Sequence, residues 1–252
     1  MNILIGIIIL AASFLFAMLG LGGGMVYVPA LNWAGYDLVT VALPLGLLLN
    51  GLNTSFALIQ FGRKKLVDWK GGSFMAIAAL IGSPLGAYAS QYVNQSQLKI
   101  IFALAVLYAA IRMLSQVNKK EPDEKAELKK RIIIGIVVGL SVGFLGGLLG
   151  IGGGFIFAPV LMYLGYKTKE AAATTAFVVT FSSFSGYLGH AAQGDMNWPL
   201  TFILVGAVII GSQFGARFMS NQAKPKMVKQ IYAVVLILIA IKFSWGAIAA
   251  LI

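Results

Sequence analysis

The chain has no cysteine, one histidine and only eight acidic residues among 252. Without cysteine there are no disulfides and no thiolate metal sites, and a single histidine leaves no transition-metal constellation. The acidic residues are Asp37, Asp68, Glu121, Asp123, Glu124, Glu127, Glu170 and Asp195, and none lies in the interior of a long apolar run, Glu170 standing at the very start of one. No carboxylate is then on hand within a membrane for a cation site or a proton relay. Charge is scarce altogether: 11% of residues are charged, against about 25% in an average soluble domain. What fills the space is apolar, at 59%. The net charge of +11 sits in short loops, where cations orient a membrane protein; no nucleic-acid partner is expected. No nucleophile–base set is visible, so we expect no enzyme, and no cofactor or metal.

Apolar segments run over 2–19, 25–33, 38–61, 71–92, 96–117, 132–149, 155–164, 169–191, 199–220 and 226–250. Those longer than about 18 residues can span a bilayer as helices. Residues 2–19 lack a basic leader and run straight into a glycine motif, so a retained helix is expected rather than a signal peptide.

That motif occurs twice. Gly20-Leu21-Gly22-Gly23-Gly24-Met25-Val26-Tyr27-Val28-Pro29-Ala30-Leu31 returns as Gly150-Ile151-Gly152-Gly153-Gly154-Phe155-Ile156-Phe157-Ala158-Pro159-Val160-Leu161, identical at six of twelve positions. Gly35-Tyr36 matches Gly165-Tyr166, and Trp69 matches Trp198 after a one-residue gap. Gly82, Ser83, Gly86 and Ala87 match Gly211, Ser212, Gly215 and Ala216. We read a first transmembrane repeat over 1–117, a basic cytoplasmic linker over 118–131 and a second repeat over 132–252.

Cation placement orients the repeats. If each glycine segment and its short partner cross the membrane once, 12 cations lie inside and 7 outside. If each glycine segment is instead the tip of a hairpin that enters and leaves on one side, the second half flips. The inside count becomes 17, with Lys99 and Lys242 outside. The second arrangement is preferred. The expected fold is an all-α polytopic membrane protein of two inverted repeats, each a glycine-tipped helical hairpin plus three transmembrane helices. The 155–164 arm would be about 15 Å long and cannot cross a core of about 30 Å, so the tips should meet inside the membrane.

Irregular glycine backbone at that depth survives only where protein or a water-filled cavity surrounds it, and paired interruptions in two halves point to a transporter's binding site. Met25 and Phe155 would open short helices whose free N–H groups carry partial positive charge. With Gly22, Gly23, Gly24 and Gly152, Gly153, Gly154 before them, the backbone can close on an oxyanion. The spacing is not that of a nucleotide loop. Hydroxyls and amides cluster in the third segment of each half: Asn50, Asn53, Thr54 and Ser55, then Thr174, Thr175, Thr180, Ser182, Ser183 and Ser185. Asn53 and Ser182 match across the repeat and rank first as substrate ligands; Gln213, mid-span, joins them. Gly135, Gly139, Gly143 and Gly147 form an i, i+4 series expected to serve helix packing. Arg112 and Lys242 are expected to snorkel to the interface, and His190 to lie near the outer end of its helix.

With the doubled motif, this length and the basic linker, the chain resembles the TauE/SafE sulfite-exporter family, or TSUP permeases, over essentially its whole length. By similarity the motif positions are Gly22, Gly23, Gly24, Pro29, Gly152, Gly153, Gly154 and Pro159. The resemblance implies secondary transport of small sulfur-containing anions, such as sulfite or sulfonates, across the cytoplasmic membrane. The expected partners are a small anion and the lipid bilayer. The coupling ion, proton or Na⁺, is left open, as is the oligomeric state. An anion channel and a non-transporting scaffold subunit are the competing readings.

Overall fold

The computed structural model describes residues 2–118, 120–191, 198–224, 226–231, 233–235 and 237–238. All regular structure among them is helical. In the first half the helices are α1 (Asn2–Leu19), α2 (Gly24–Trp33), α3 (Leu43–Arg63), α4 (Trp69–Ala89) and α5 (Gln95–Val117). In the second half they are α6 (Leu128–Leu148), α7 (Gly154–Tyr163), α8 (Thr168–Ala191) and α9 (Trp198–Asn221). Five stretches among the described residues are long and apolar enough to cross a membrane: Leu38–Arg63, Trp69–Tyr92, Leu128–Leu148, Thr168–His190 and Trp198–Asn221. The outer surface is apolar too, with Ile77, Ile81 and Leu85 of α4, Ile133 and Val137 of α6, and Phe202, Ile210 and Phe214 of α9 all exposed. A surface of that kind suits lipid rather than water. The protein is an all-α, polytopic membrane protein.

Side chains set several helix starts. Asp37 accepts from the N–H groups of Val39 and Thr40, at 3.0 and 2.8 Å, opening a π-helical turn over Leu38–Ala42 that runs into α3. Asp68 caps α4 through the Gly71 N–H at 2.8 Å. α6 begins at Leu128, so it takes up the last four residues of the segment read as linker. Lys129, Lys130 and Arg131 can open a helix because the local charge is answered: Arg131 pairs with Asp68 at 2.5 Å.

The packing is an exchange between halves. α1 lies against α9, and α6 lies against α4. α3 and α8 pack on each other and are the most buried of the long spans. The glycine series of α6 is the seam with α4: a Cβ on Gly143 would sit 2.7 Å from Ala79 Cα, and one on Gly139 2.9 Å from Ala78 Cβ. On the other seam, Gly211 and Gly215 face the backbone of α1 at Leu10 and Phe14. Small faces let the helix backbones approach this closely, as expected for membrane helices.

Charged loops gather at one end. Tyr166, between α7 and α8, donates to Asp68 at 3.0 Å, and Arg131 reaches Tyr166 at 3.1 Å. Lys125 bridges Asp68 and Glu170 at 3.6 and 3.2 Å. Glu121 accepts from the Thr168 N–H and hydroxyl and pairs with Lys229 at 3.2 Å. Burial alone would push the Asp68 carboxyl up, but the Gly71 N–H, the Tyr166 hydroxyl, Lys125 and Arg131 together hold it below the ordinary value. Burial would likewise raise the Glu121 carboxyl, and Thr168 and Lys229 bring it down. Burial pushes the Tyr166 hydroxyl up to about 12.

Candidate substrate site

Each short helix begins one residue earlier than expected, at Gly24 and Gly154 rather than at Met25 and Phe155. The turn before it is left-handed: Gly20 and Gly22 have φ of 70° and 68°, Gly150 and Gly152 of 72° and 67°. Only glycine adopts such angles without strain. The two tips differ at their third glycine. Gly153 is left-handed at φ 80°, whereas Gly23 is at −93°.

The tips touch. A Cβ on Gly24 would lie 2.8 Å from Ile151 Cα, and one on Gly154 would lie 2.9 Å from Leu21 Cα. Gly24 and Gly154 are equivalent motif positions, as are Leu21 and Ile151, so the contact is reciprocal. Residues 16–25 and 146–159 are buried throughout. Two helix N-termini, each carrying partial positive charge, are thus brought together in the protein interior.

One side chain joins them. Asn50 of α3 accepts from the Gly24 N–H at 2.7 Å. Its amide nitrogen donates to Ser183 Oγ of α8 at 2.8 Å and to the Ile151 carbonyl at 3.4 Å. The amide oxygen therefore occupies a helix N-terminal donor of the kind that an anion would take. Gly22 and Gly152 have no room for a side chain because this amide and Ser183 stand against them.

A second cluster braces the first tip. The Tyr27 hydroxyl is 2.6 Å from Ser13 Oγ and receives the Asn53 amide at 2.5 Å. All three residues are fully buried. The Asn53 Oδ1 has no partner, and neither does the Ser182 hydroxyl. Thr54 and Thr180 are linked across α3 and α8 at 3.0 Å.

Of the residues singled out from sequence, Gly22, Gly23, Gly24, Met25, Gly152, Gly153, Gly154 and Phe155 form the two tips. Asn53 lies behind the first tip, against Tyr27, and Ser182 is buried on α8. Gln213 is exposed on α9, outside this buried set. Lys242 and Asp195 lie outside the described residues, as does the side chain of Arg112. Asn50 and Ser183 belonged to the polar clusters but were not ranked as ligands; Tyr27 and Ser13 carried no signal beyond being polar in apolar runs. Among the described residues no three His, Asp or Glu side chains come together as a metal site.

The family model described as Sulfite exporter TauE/SafE matches residues 4–243. The chain is 30% identical to the probable membrane transporter protein YunE of Bacillus subtilis, with 92% of this chain and 93% of that one covered. It is 25% identical to the probable membrane transporter protein MJ0441 of Methanocaldococcus jannaschii, covering 89% and 87%. Identity to the probable membrane transporter protein YfcA of Escherichia coli is 24%, covering 94% and 87%. No solved structure matches. A family match over nearly the whole chain, together with a relative 30% identical over almost its full length, means that the chain belongs to the sulfite exporter TauE/SafE family of membrane transporters.

Proposed function

We propose that this protein is a secondary transporter of small sulfur-containing anions, such as sulfite or organosulfonates, in the cytoplasmic membrane. The observation that carries the reading is the reciprocal contact of two buried helix N-termini, bridged by the neutral amide of Asn50. An oxyanion replaces the Asn50 oxygen on the Gly24 N–H and draws on both helix dipoles without needing a buried cation. Asn53 Oδ1 is an acceptor and suits a protonated oxygen or a water at the site's edge; the Ser182 hydroxyl can donate.

Alternating access follows if one half rocks against the other about the site. The gathering of Asp68, Glu121, Arg131, Tyr166 and Lys229 at one end supports the inverted arrangement, because an eight-span parallel arrangement would put Tyr166 and Lys229 at the other end. That end would be cytoplasmic, with the glycine tips near the membrane midplane.

Charge displacement in proteoliposomes on solid-supported membranes tests the function. Sulfite, sulfate, thiosulfate, taurine and sulfoacetate would be applied in turn, with tracer flux to catch electroneutral transport. A saturable signal for one sulfur oxyanion, lost in Gly23→Val, is the expected result. Conductance that does not saturate would make it a channel, and no flux for any of the set would overturn the assignment.

A further inference from the structure

His190 is the only histidine of the chain, and its side chain is enclosed by protein. It lies in the last turn of α8 and is fully buried. Its Nε2 is 3.1 Å from the carbonyl oxygen of Gly147. A carbonyl can only accept, so Nε2 carries the hydrogen and, in the neutral ring, Nδ1 is the bare acceptor. Nδ1 is buried and has no partner.

Gly147 is in the last turn of α6, whose final carbonyls have no partner within the helix and carry partial negative charge. The same turn builds the second tip: the Gly146 carbonyl accepts from the N–H groups of Ile151 and Gly152 at 2.9 and 3.2 Å. Within a few residues the chain thus presents a negative helix end, at α6, and a positive one, at α7. The first suits a cation and the second an anion.

Among the described residues, the groups packed against the end of α8 carry no formal charge; Asp195 lies outside the described residues. α4 sets Ser83, Pro84 and Ala87 against Gly186 and Gly189, the turn of α8 that leads to His190, and α3 adds Leu47. Ser83 Oγ is buried and without a partner. α1, α2 and α7 contain no Asp, Glu, Lys or Arg. Arg63 of α3, Lys70 of α4, Lys129, Lys130 and Arg131 of α6, and Lys169 and Glu170 of α8 are all at the opposite, charged end. Tyr27 is engaged by Ser13 and Asn53, Tyr88 and Tyr163 are exposed, and Tyr187 is part-exposed on α8 itself.

We propose that His190 is the proton-binding residue that couples transport to a proton gradient. The proposal rests on the transporter reading above. Nδ1 takes one proton from the side to which the site is open, forming an N–H bond. The imidazolium keeps its Nε2 hydrogen bond to the α6 carbonyl. The positive ring beside the second tip is then balanced by the anion between the tips. The two cross together, and the proton leaves Nδ1 on the other side.

A single histidine makes the test direct. In tag-free protein labelled with ¹⁵N-histidine and reconstituted in lipid, the ring nitrogens report tautomer and charge between about pH 5 and 8, bracketing the ordinary value of about 6.5. The expected result is an Nε2–H neutral form that protonates at Nδ1 within this range. A ring that stays neutral throughout, or sits as the Nδ1–H tautomer, overturns the proposal whatever the cargo. The functional arm compares wild type with His190→Gln, whose amide can keep the bond to Gly147 but cannot titrate. A one-unit pH gradient coupled to one proton supports about tenfold accumulation. His190→Gln should lose that accumulation while keeping sulfite counterflow, now independent of pH. Gradient-driven accumulation unchanged in His190→Gln overturns the coupling role. Absence of any flux in wild type, with His190 titrating as expected, would instead locate the failure in the transport reading, and coupling would fall with it.

Discussion

The two tips share a motif but not a support. Behind the first, Ser13, Tyr27 and Asn53 form a buried hydrogen-bonded cluster, and Asn50 holds the Gly24 N–H. By motif spacing, Ser13 corresponds to Gly143, Tyr27 to Phe157, and Asn53 to Ser182 or Ser183 according to where the one-residue gap falls. The second tip therefore lacks this brace. Phe157 is packed without a hydroxyl, Gly143 is given over to the seam with α4, and the polar contacts are Asn50 on the Ile151 carbonyl and His190 on Gly147. The lesson is that duplicated backbone geometry can be kept while its anchoring diverges, leaving one tip fixed and the other open to adjustment.

Four experiments break or sharpen this contrast. The largest effect is expected where the tips are alike. Gly22→Ala and Gly152→Ala each force a side chain into left-handed backbone, costing about 1–2 kcal/mol, the first against Asn50 and the second against Ser183 and Asn50, adding about 1–3 kcal/mol of overpacking. Thermal unfolding in detergent should fall by similar amounts for both; a neutral result at either would end the claim of shared geometry. Next comes Asn50→Asp. A carboxylate on the Gly24 N–H is an internal rival to the substrate, and sulfite affinity should drop by about tenfold or more, read by counterflow or calorimetry. Asn50→Ala, by contrast, leaves Gly24 and Ser183 short of a partner at about 1–3 kcal/mol, and its defect should be mainly in stability.

Tyr27→Phe makes the first tip resemble the second. It should cost about 1 kcal/mol and raise amide exchange in α2 but not in α7. Equal loosening of both would mean that the brace serves the whole site. The smallest effect is expected from Asp68→Asn at the charged end, at about 1 kcal/mol or less because the group is partly exposed. Its carboxyl is held low in the folded protein, so its stabilising share is present above about pH 4 and is lost as pH falls through the lower folded value. Proteolysis of the linker should rise in acid in wild type, and Asp68→Asn should show that looseness at neutral pH, with exchange at both tips unchanged.

Much of the fold was legible because lipid-length apolar runs and glycine breaks are local signals. Nine predicted segments match α1–α9 to within a few residues, and the glycine series did become seams. Of the candidate site, the two glycine tips were legible as a repeated motif, whereas the side chain that bridges them, Asn50, was not ranked above Asn53. Comparing equivalent positions rewards residues that repeat, whereas Asn50 works by reaching Ser183, 133 positions away. Gln213 looked central by its number alone. It stands two residues from both Gly211 and Gly215, on the other side of the helix from the seam, and helical periodicity points it outward. His190 was placed by counting along its own helix, and nothing local announced that the end of α6 would cover it.

The exchanged seams have a consequence for how such a chain is assembled. The hairpin helix α1 finds its glycine partner in α9, and α6 finds its partner in α4. Neither half can close its own groove. Two pieces cut within 118–131 would be complementary parts of one object rather than two domains. A single ancestral copy of the motif, before duplication, would have needed a second molecule of itself to finish folding.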